Sequence, residues 1–242
     1  MPLLALLPLL IASTGDTATV KPPAPPIIKF VTDMGYVSTA GNSSVQTLNV
    51  GDRITVKSGP VTISQNFAVV HGRSKGIVVT SLWRAGVRGD FAFQPTFGVY
   101  ASVSYERNVF AGLNSRIGNT VGLTAQLVKS AKDKFSVEGG ISLTSQRGIA
   151  GKTRDLDFLG GRAASAYSHQ LSNRAMVSQV VELLPNFRQS ADLRINTESL
   201  MTAPLTKQVS VRLSYVIRYD GLPEPGFLST DRLFTSGIQV SL

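Results

Sequence analysis

The sequence predicts an all-β chain folded as an antiparallel up-and-down transmembrane β-barrel of about twelve strands. Three observations carry that reading: hydropathy with a period of two that recurs along the chain, turn signals that cut it into segments of membrane-strand length, and charges of both signs on the face opposite the apolar one. Phe97, Val99, Ala101, Val103 and Tyr105 interleave with Gly98, Tyr100, Ser102, Ser104 and Glu106. Val209, Val211, Leu213, Tyr215, Ile217 and Tyr219 interleave with Gln208, Ser210, Arg212, Ser214 and Arg218. A helix would smear these sets around its circumference, whereas a strand sends successive side chains to opposite sides. A barrel wall in a bilayer needs such strands, with lipid on one side and water or polar packing on the other.

Turn residues divide the chain into strands expected at 28–38, 46–57, 61–70, 77–91, 97–107, 117–129, 135–146, 158–170, 175–184, 189–201, 208–219 and 232–242. A tilted membrane strand needs ~9–11 residues, and these segments meet that length. With both termini on one side, 58–59, 130–133, 172–174 and 203–206 fall as short inner turns. The longer stretches 108–116, 148–157 and 220–231 fall as outer loops, the bacterial barrel pattern; 41–44 is a short outer exception. Aromatic residues gather near strand ends, Phe91, Phe93 and Phe97 at an inner turn and Phe110, Phe187, Phe227 and Phe234 toward outer loops, as interfacial girdles require. Asp52 and Gln65 stand on faces expected to meet lipid, and mark where a bulge or a register error is expected.

Two groups of charged residues separate on this register. Arg84, Arg88, Glu106, Glu138, Asp192, Arg194, Glu198, Arg212 and Arg218 point inward, as a water-filled or salt-bridged lumen would have them; the core of a soluble sandwich could not take them cheaply. Arg73, Lys75, Arg107, Arg116, Arg147, Lys152, Arg154 and Arg188 lie in or beside the outer loops. There they are candidates to pair with phosphates of lipopolysaccharide. The last strand ends on Thr235, Gly237, Val240 and Leu242, which match the terminal signal by which the barrel assembly machinery recognises its substrates.

The other features set limits. Residues 1–20 read as a signal peptide, with the apolar run 1–12 too short to span a bilayer, 21–27 as a stiff Pro-rich linker and 28–242 as the barrel. The chain has no cysteine, which removes disulfides and thiolate metal sites, and only two histidines, which makes a transition-metal site improbable. The net charge of +9 is scattered without a dense run, so nucleic acid is not an expected partner. Asp155, Asp157 and Asp192 lack calcium-loop spacing, no Gly-rich phosphate cradle precedes a helix, and no cofactor is expected.

One motif resembles catalytic chemistry. Gly72-Arg73-Ser74-Lys75-Gly76, with His71 beside it, fits the nucleophile-elbow pattern of serine hydrolases. That pattern works only at a sharp strand-to-helix turn; here Ile77-Val78-Val79-Thr80 continues as strand, and the segment reads as an outer hairpin. His169 with Ser168 or Ser165 is the other candidate pair.

Several pieces resemble the salt-induced outer membrane protein family of Gram-negative bacteria, a group whose function is largely undefined. They are Asp33-Met34-Gly35-Tyr36 through Gly41-Asn42-Ser43, then Thr47-Leu48-Asn49-Val50-Gly51, then residues 100–113, the glycine-bearing strand from Gly118, and 196–242. Family members often carry an acidic residue where Asn108 stands, and barrels more often end in Phe than in Leu242. The resemblance implies an outer-membrane barrel and supplies no catalytic residues.

The expected protein is a monomeric, non-enzymatic barrel in a Gram-negative outer membrane, structural or a narrow passive pore. Its partners are lipid, lipopolysaccharide and the assembly machinery. The alternatives are an outer-membrane lipid hydrolase and a soluble secreted barrel that binds a small ligand.

Overall fold

The computed structural model of the protein describes residues 25–39, 45–149, 155–172 and 175–242. Among these, twelve strands form one closed antiparallel barrel: β1 (Ile27–Thr39), β2 (Val45–Ser58), β3 (Val61–Ser74), β4 (Ile77–Ala92), β5 (Phe97–Asn108), β6 (Leu113–Lys129), β7 (Asp133–Gly148), β8 (Leu156–Ser172), β9 (Ala175–Pro185), β10 (Leu193–Pro204), β11 (Val209–Asp220) and β12 (Thr230–Ser241). Each strand pairs with its sequence neighbours, and the ring closes where Val31 to Met34 of β1 pair with Ser241 to Ile238 of β12. The terminal residue extends that seam: Leu242 N donates to Phe30 O at 2.9 Å and Phe30 N donates to Leu242 O at 3.0 Å. The seam is the shortest ladder of the ring: Gly35–Thr39 pair with β2 alone and Thr230–Gly237 with β11 alone. Residues 1–20, read as a signal peptide, lie outside the described residues, as do most of the linker and the 41–44 connection.

The all-β expectation holds, and strand limits differ from it at three informative places. β3 runs on to Ser74, so β3 and β4 are joined by a two-residue turn in which Lys75 and Gly76 both have positive φ, 49° and 80°. That is the twist-matched hairpin geometry. β6 begins at Leu113, four residues earlier than expected, after a single 3-10 turn at Val109–Ala111. β10 begins at Leu193, later than expected. Residues 189–192 instead fold into a turn closed by Asp192 N donating to Gln189 O (2.9 Å) and Asn186 N donating to Asp192 O (3.1 Å).

The wall has an apolar outside and a polar inside. Val121 and Leu123, near the middle of β6, are 61% and 62% exposed, and Val103, Ile141 and Leu143 are likewise open on the same surface. Such a contiguous exposed apolar belt on strands of 11–17 residues suits lipid and not water. Phe91, Phe93 and Phe97 are exposed at the end where β1 begins and β12 finishes, and Phe187 at the loop end. Phe234 lies lower on the outer wall opposite Tyr215, and Phe227 turns inward, which corrects the expectation for both. Side-chain placement of Phe110 is outside the described residues.

Asp52 and Gln65 do stand on the outer wall. The β2–β3 ladder runs unbroken through Asp52↔Phe67 and Ile54↔Gln65, so the expected bulge or register error is absent there. One oxygen of each, Asp52 Oδ1 and Gln65 Oε1, is buried without a hydrogen-bond partner.

Candidate functional site

The lumen is the candidate site, and three connected groups hold most of its charged side chains among the described residues. The largest begins with Arg88 of β4. Its Nε donates to Asp90 Oδ1 at 2.9 Å, and its Nη1 reaches over two strands to Glu138 Oε2 of β7 at 2.9 Å. Glu138 Oε2 also accepts from Arg162 Nη1 of β8 at 2.5 Å, and Arg162 Nε donates to Glu182 Oε1 of β9 at 2.7 Å. Asn196 of β10 completes the chain by donating to Glu182 at 2.8 Å. Charge-assisted bonds of this kind are about twice as strong as neutral ones, and here they run from β4 to β10.

Tyr100 is the keystone of that group. Arg88 stacks on its ring, with the guanidinium carbon 4.0 Å from the centroid, and Arg162 Nη1 donates to its hydroxyl at 2.9 Å. The ring lies flat on the neighbouring strands because Gly122 and Gly140 present no side chain beneath it. A Cβ on Gly122 would meet Tyr100 Cε1 at 2.8 Å, and one on Gly140 would meet the hydroxyl oxygen at 2.9 Å. The glycine-bearing strands read from the sequence therefore make room for an aromatic ring inside the barrel.

The second group crosses the lumen. Glu106 of β5 accepts from Arg84 of β4 at 3.4 Å and from Arg218 of β11 at 3.3 Å. Five strands separate β5 from β11 whichever way the ring is followed, so the Glu106–Arg218 bridge joins opposite walls. In the third group Arg212 donates to Asp33 of β1 and, at 3.0 Å, to Glu198 of β10, which also accepts from Ser214 Oγ at 2.9 Å.

All nine charges expected inward line the lumen or its mouth: Arg84, Arg88, Glu106, Glu138, Arg194, Glu198, Arg212 and Arg218 from strands, and Asp192 from the turn before β10. Asp33, Asp90, Tyr100, Arg162 and Glu182 complete these groups and were not singled out from sequence. Arg116 is a correction. It was expected as an outer-loop cation, but β6 starts early enough to include it, and it turns into the lumen, where Nε and Nη2 donate to Gln146 Oε1 at 3.0 and 2.6 Å.

The remaining outer cations among the described residues stay outside. Arg73, Lys75 and Arg107 are exposed at the loop end. Arg147 is tied to Asp157 at 3.0 Å, and Arg188 Nη1 donates to the Asp157 carbonyl at 3.2 Å. Lys152 and Arg154 lie outside the described residues.

Neither hydrolase candidate assembles. Ser74 ends β3 at a hairpin, with strand and not helix beyond it. Ser168 and His169 point to opposite faces of β8, and Ser165 stands roughly 13 Å up the same strand. His169 Nδ1 instead lies 2.7 Å from Asp133 Oδ1, which also accepts from the Tyr167 hydroxyl at 2.8 Å.

The chain belongs to the family described as protein of unknown function, DUF481, which matches residues 32–242. Its fold is that of a porin-like barrel. The solved structure of the NanC porin shares 9% identity at a TM-score of 0.54, covering 88% of this chain and 100% of that one. The translocator domain of the autotransporter NalP from Neisseria meningitidis shares 13% identity at a TM-score of 0.47, covering 89% and 87%. At these identities the likeness concerns the fold alone. No curated protein matches the chain.

Proposed function

We propose that the chain is a non-enzymatic barrel of a Gram-negative outer membrane, and that it acts as a narrow passive pore constricted by its own salt bridges. The observation that carries this reading is the Glu106–Arg218 bridge between opposite walls of a polar lumen inside an apolar shell. The polar interior gives solutes a wet path, and the bridge narrows it. In a barrel of this strand number inward side chains fill much of the interior, so conductance is small. Ion preference follows from the balance of inward Arg and Glu.

Single-channel recording tests this. Wild type is expected to show small steps in planar bilayers. Glu106→Gln should widen the path, raise the step size and move selectivity toward anions, because Arg84 and Arg218 lose their carboxylate. Identical steps in both proteins would place the constriction elsewhere and contradict the reading.

The exposed outer cations support a second element of the proposal, that the loop end pairs with lipopolysaccharide phosphates. Reversing Arg73 and Lys75 to Glu should weaken lipopolysaccharide binding severalfold, as measured by co-purification from outer membranes, and unchanged lipid content would remove this element. The last strand, with Thr235, Gly237, Val240 and Leu242, is proposed as the segment the assembly machinery reads. The monomeric state and the stress response implied by the family resemblance belong to the same proposal, with transcript level under raised salt as the measure of the latter.

A further inference from the structure

We infer that the loop-end vestibule of the lumen binds a small organic oxyanion, a solute bearing a carboxylate or phosphate group, between Arg116 and Arg194. The inference deepens the pore reading and rests on it in requiring that solute reach the lumen. The vestibule is the loop-end part of a cavity of about 390 Å³ that runs past the Glu106–Arg218 bridge, from Arg88 and Arg162 to the loop after β11, and the cavity is within the range of small-molecule sites. The loop after β11 folds into its mouth, with Leu222 and Phe227 supplying apolar wall.

Arg194 is the main observation. Its side chain is only 8% exposed and makes no hydrogen bond among the described residues, and its Nε is buried without a hydrogen-bond partner. Its ionic neighbour Asp192 stands 3.8 Å away and is itself held by Asn186 Nδ2 at 2.8 Å. The guanidinium carbon lies 5.2 Å from the centroid of the Phe158 ring, which fixes the group while leaving its donors unspent.

Arg116 is the second observation. Its hydrogen bonds go to the neutral Gln146 amide, its cross-strand neighbour is Glu106, and it lines the same cavity as Arg194. Asp192 and Asp220 beside Arg194 and Glu106 beside Arg116 offset charge without accepting a hydrogen bond from Arg194, and a buried guanidinium with unspent donors is costly until an acceptor reaches it. An oxyanion accepts from both in the planar geometry that guanidinium groups favour. Asp220, the cross-strand neighbour of Arg194, and Asp231 of β12 also line the mouth, so a monoanion with a polar or cationic substituent suits the site better than a polyanion.

The test uses the full barrel, purified in detergent, with benzoate titrated calorimetrically at low ionic strength, benzylamine as a cation of the same size and inorganic phosphate as competitor. The expected result is saturable benzoate binding that phosphate displaces and benzylamine does not. Arg194→Gln and Arg116→Gln should each weaken it by at least about ten-fold, the loss of a charge-assisted bond, while migration on unheated gels stays that of the folded form. Absence of saturable binding by both anions, equal binding of benzylamine, or undiminished binding in folded Arg194→Gln would overturn the inference. Should a variant fail to fold, the benzoate–benzylamine comparison on wild type decides alone. A barrel that conducts without binding these anions loses this site and keeps the pore reading; one that binds them without conducting loses the pore reading and keeps the site.

Discussion

Leu123→Arg is expected to cut the fraction of barrel that folds into a bilayer, whereas Thr124→Arg, one residue along, leaves it nearly unchanged. Leu123 is 62% exposed on the outer wall, between Val99 of β5 and Gly139 of β7. A guanidinium there must sit in hydrocarbon near mid-depth, at a cost of roughly 2–4 kcal/mol. A loss of that size is a large part of the stability of a domain held by about 5–15 kcal/mol. Thr124 points the other way, opposite Glu138, so an arginine at this position enters the polar lumen beside a carboxylate. Its cost should stay near about 1 kcal/mol. Refolding into lipid vesicles, read as the fraction that migrates in the folded form, separates the two. Equal tolerance at both positions would mean that the apolar belt does not meet lipid.

Glu138→Ala should destabilise the folded barrel more than any other single change to the lumen. The carboxylate holds Arg88 and Arg162 together, and its removal leaves two guanidiniums facing each other over Tyr100. Removing one partner of a fully buried pair costs about 3–5 kcal/mol. These side chains are about one-fifth exposed to the lumen, and Arg88 and Arg162 retain Asp90 and Glu182. The expected cost is therefore smaller, roughly 2–3 kcal/mol, visible as a lower urea midpoint with an unchanged slope. An unchanged midpoint would mean that water already carries the two arginines.

The wall was legible in the sequence because a period of two survives wherever lipid-facing and lumen-facing residues differ in polarity. It became illegible where that contrast vanished. Asn114-Ser115-Arg116 is polar on both sides, so the start of β6 was hidden and Arg116 was assigned to a loop. Gly160-Gly161-Arg162-Ala163-Ala164 offers little contrast, and Val180-Val181-Glu182-Leu183-Leu184 is apolar on both faces around Glu182; both charges were passed over, although their strands were found. The partners of the inward charges were hidden for a different reason. Glu106 and Arg218 are 112 residues apart in sequence and meet only because ring closure sets their walls opposite one another. The inward turn of the loop after β11, which carries Phe227 into the mouth, likewise depends on tertiary packing that no local pattern records.

Heat-modifiable migration of the native protein from purified outer membranes bears most directly on the central claim. The account predicts that unheated protein runs as a compact band in a denaturing gel and shifts on boiling, as a closed barrel does when detergent alone cannot open it. Protein found in the soluble periplasmic fraction, with one mobility before and after heating, would contradict the membrane assignment and the pore together.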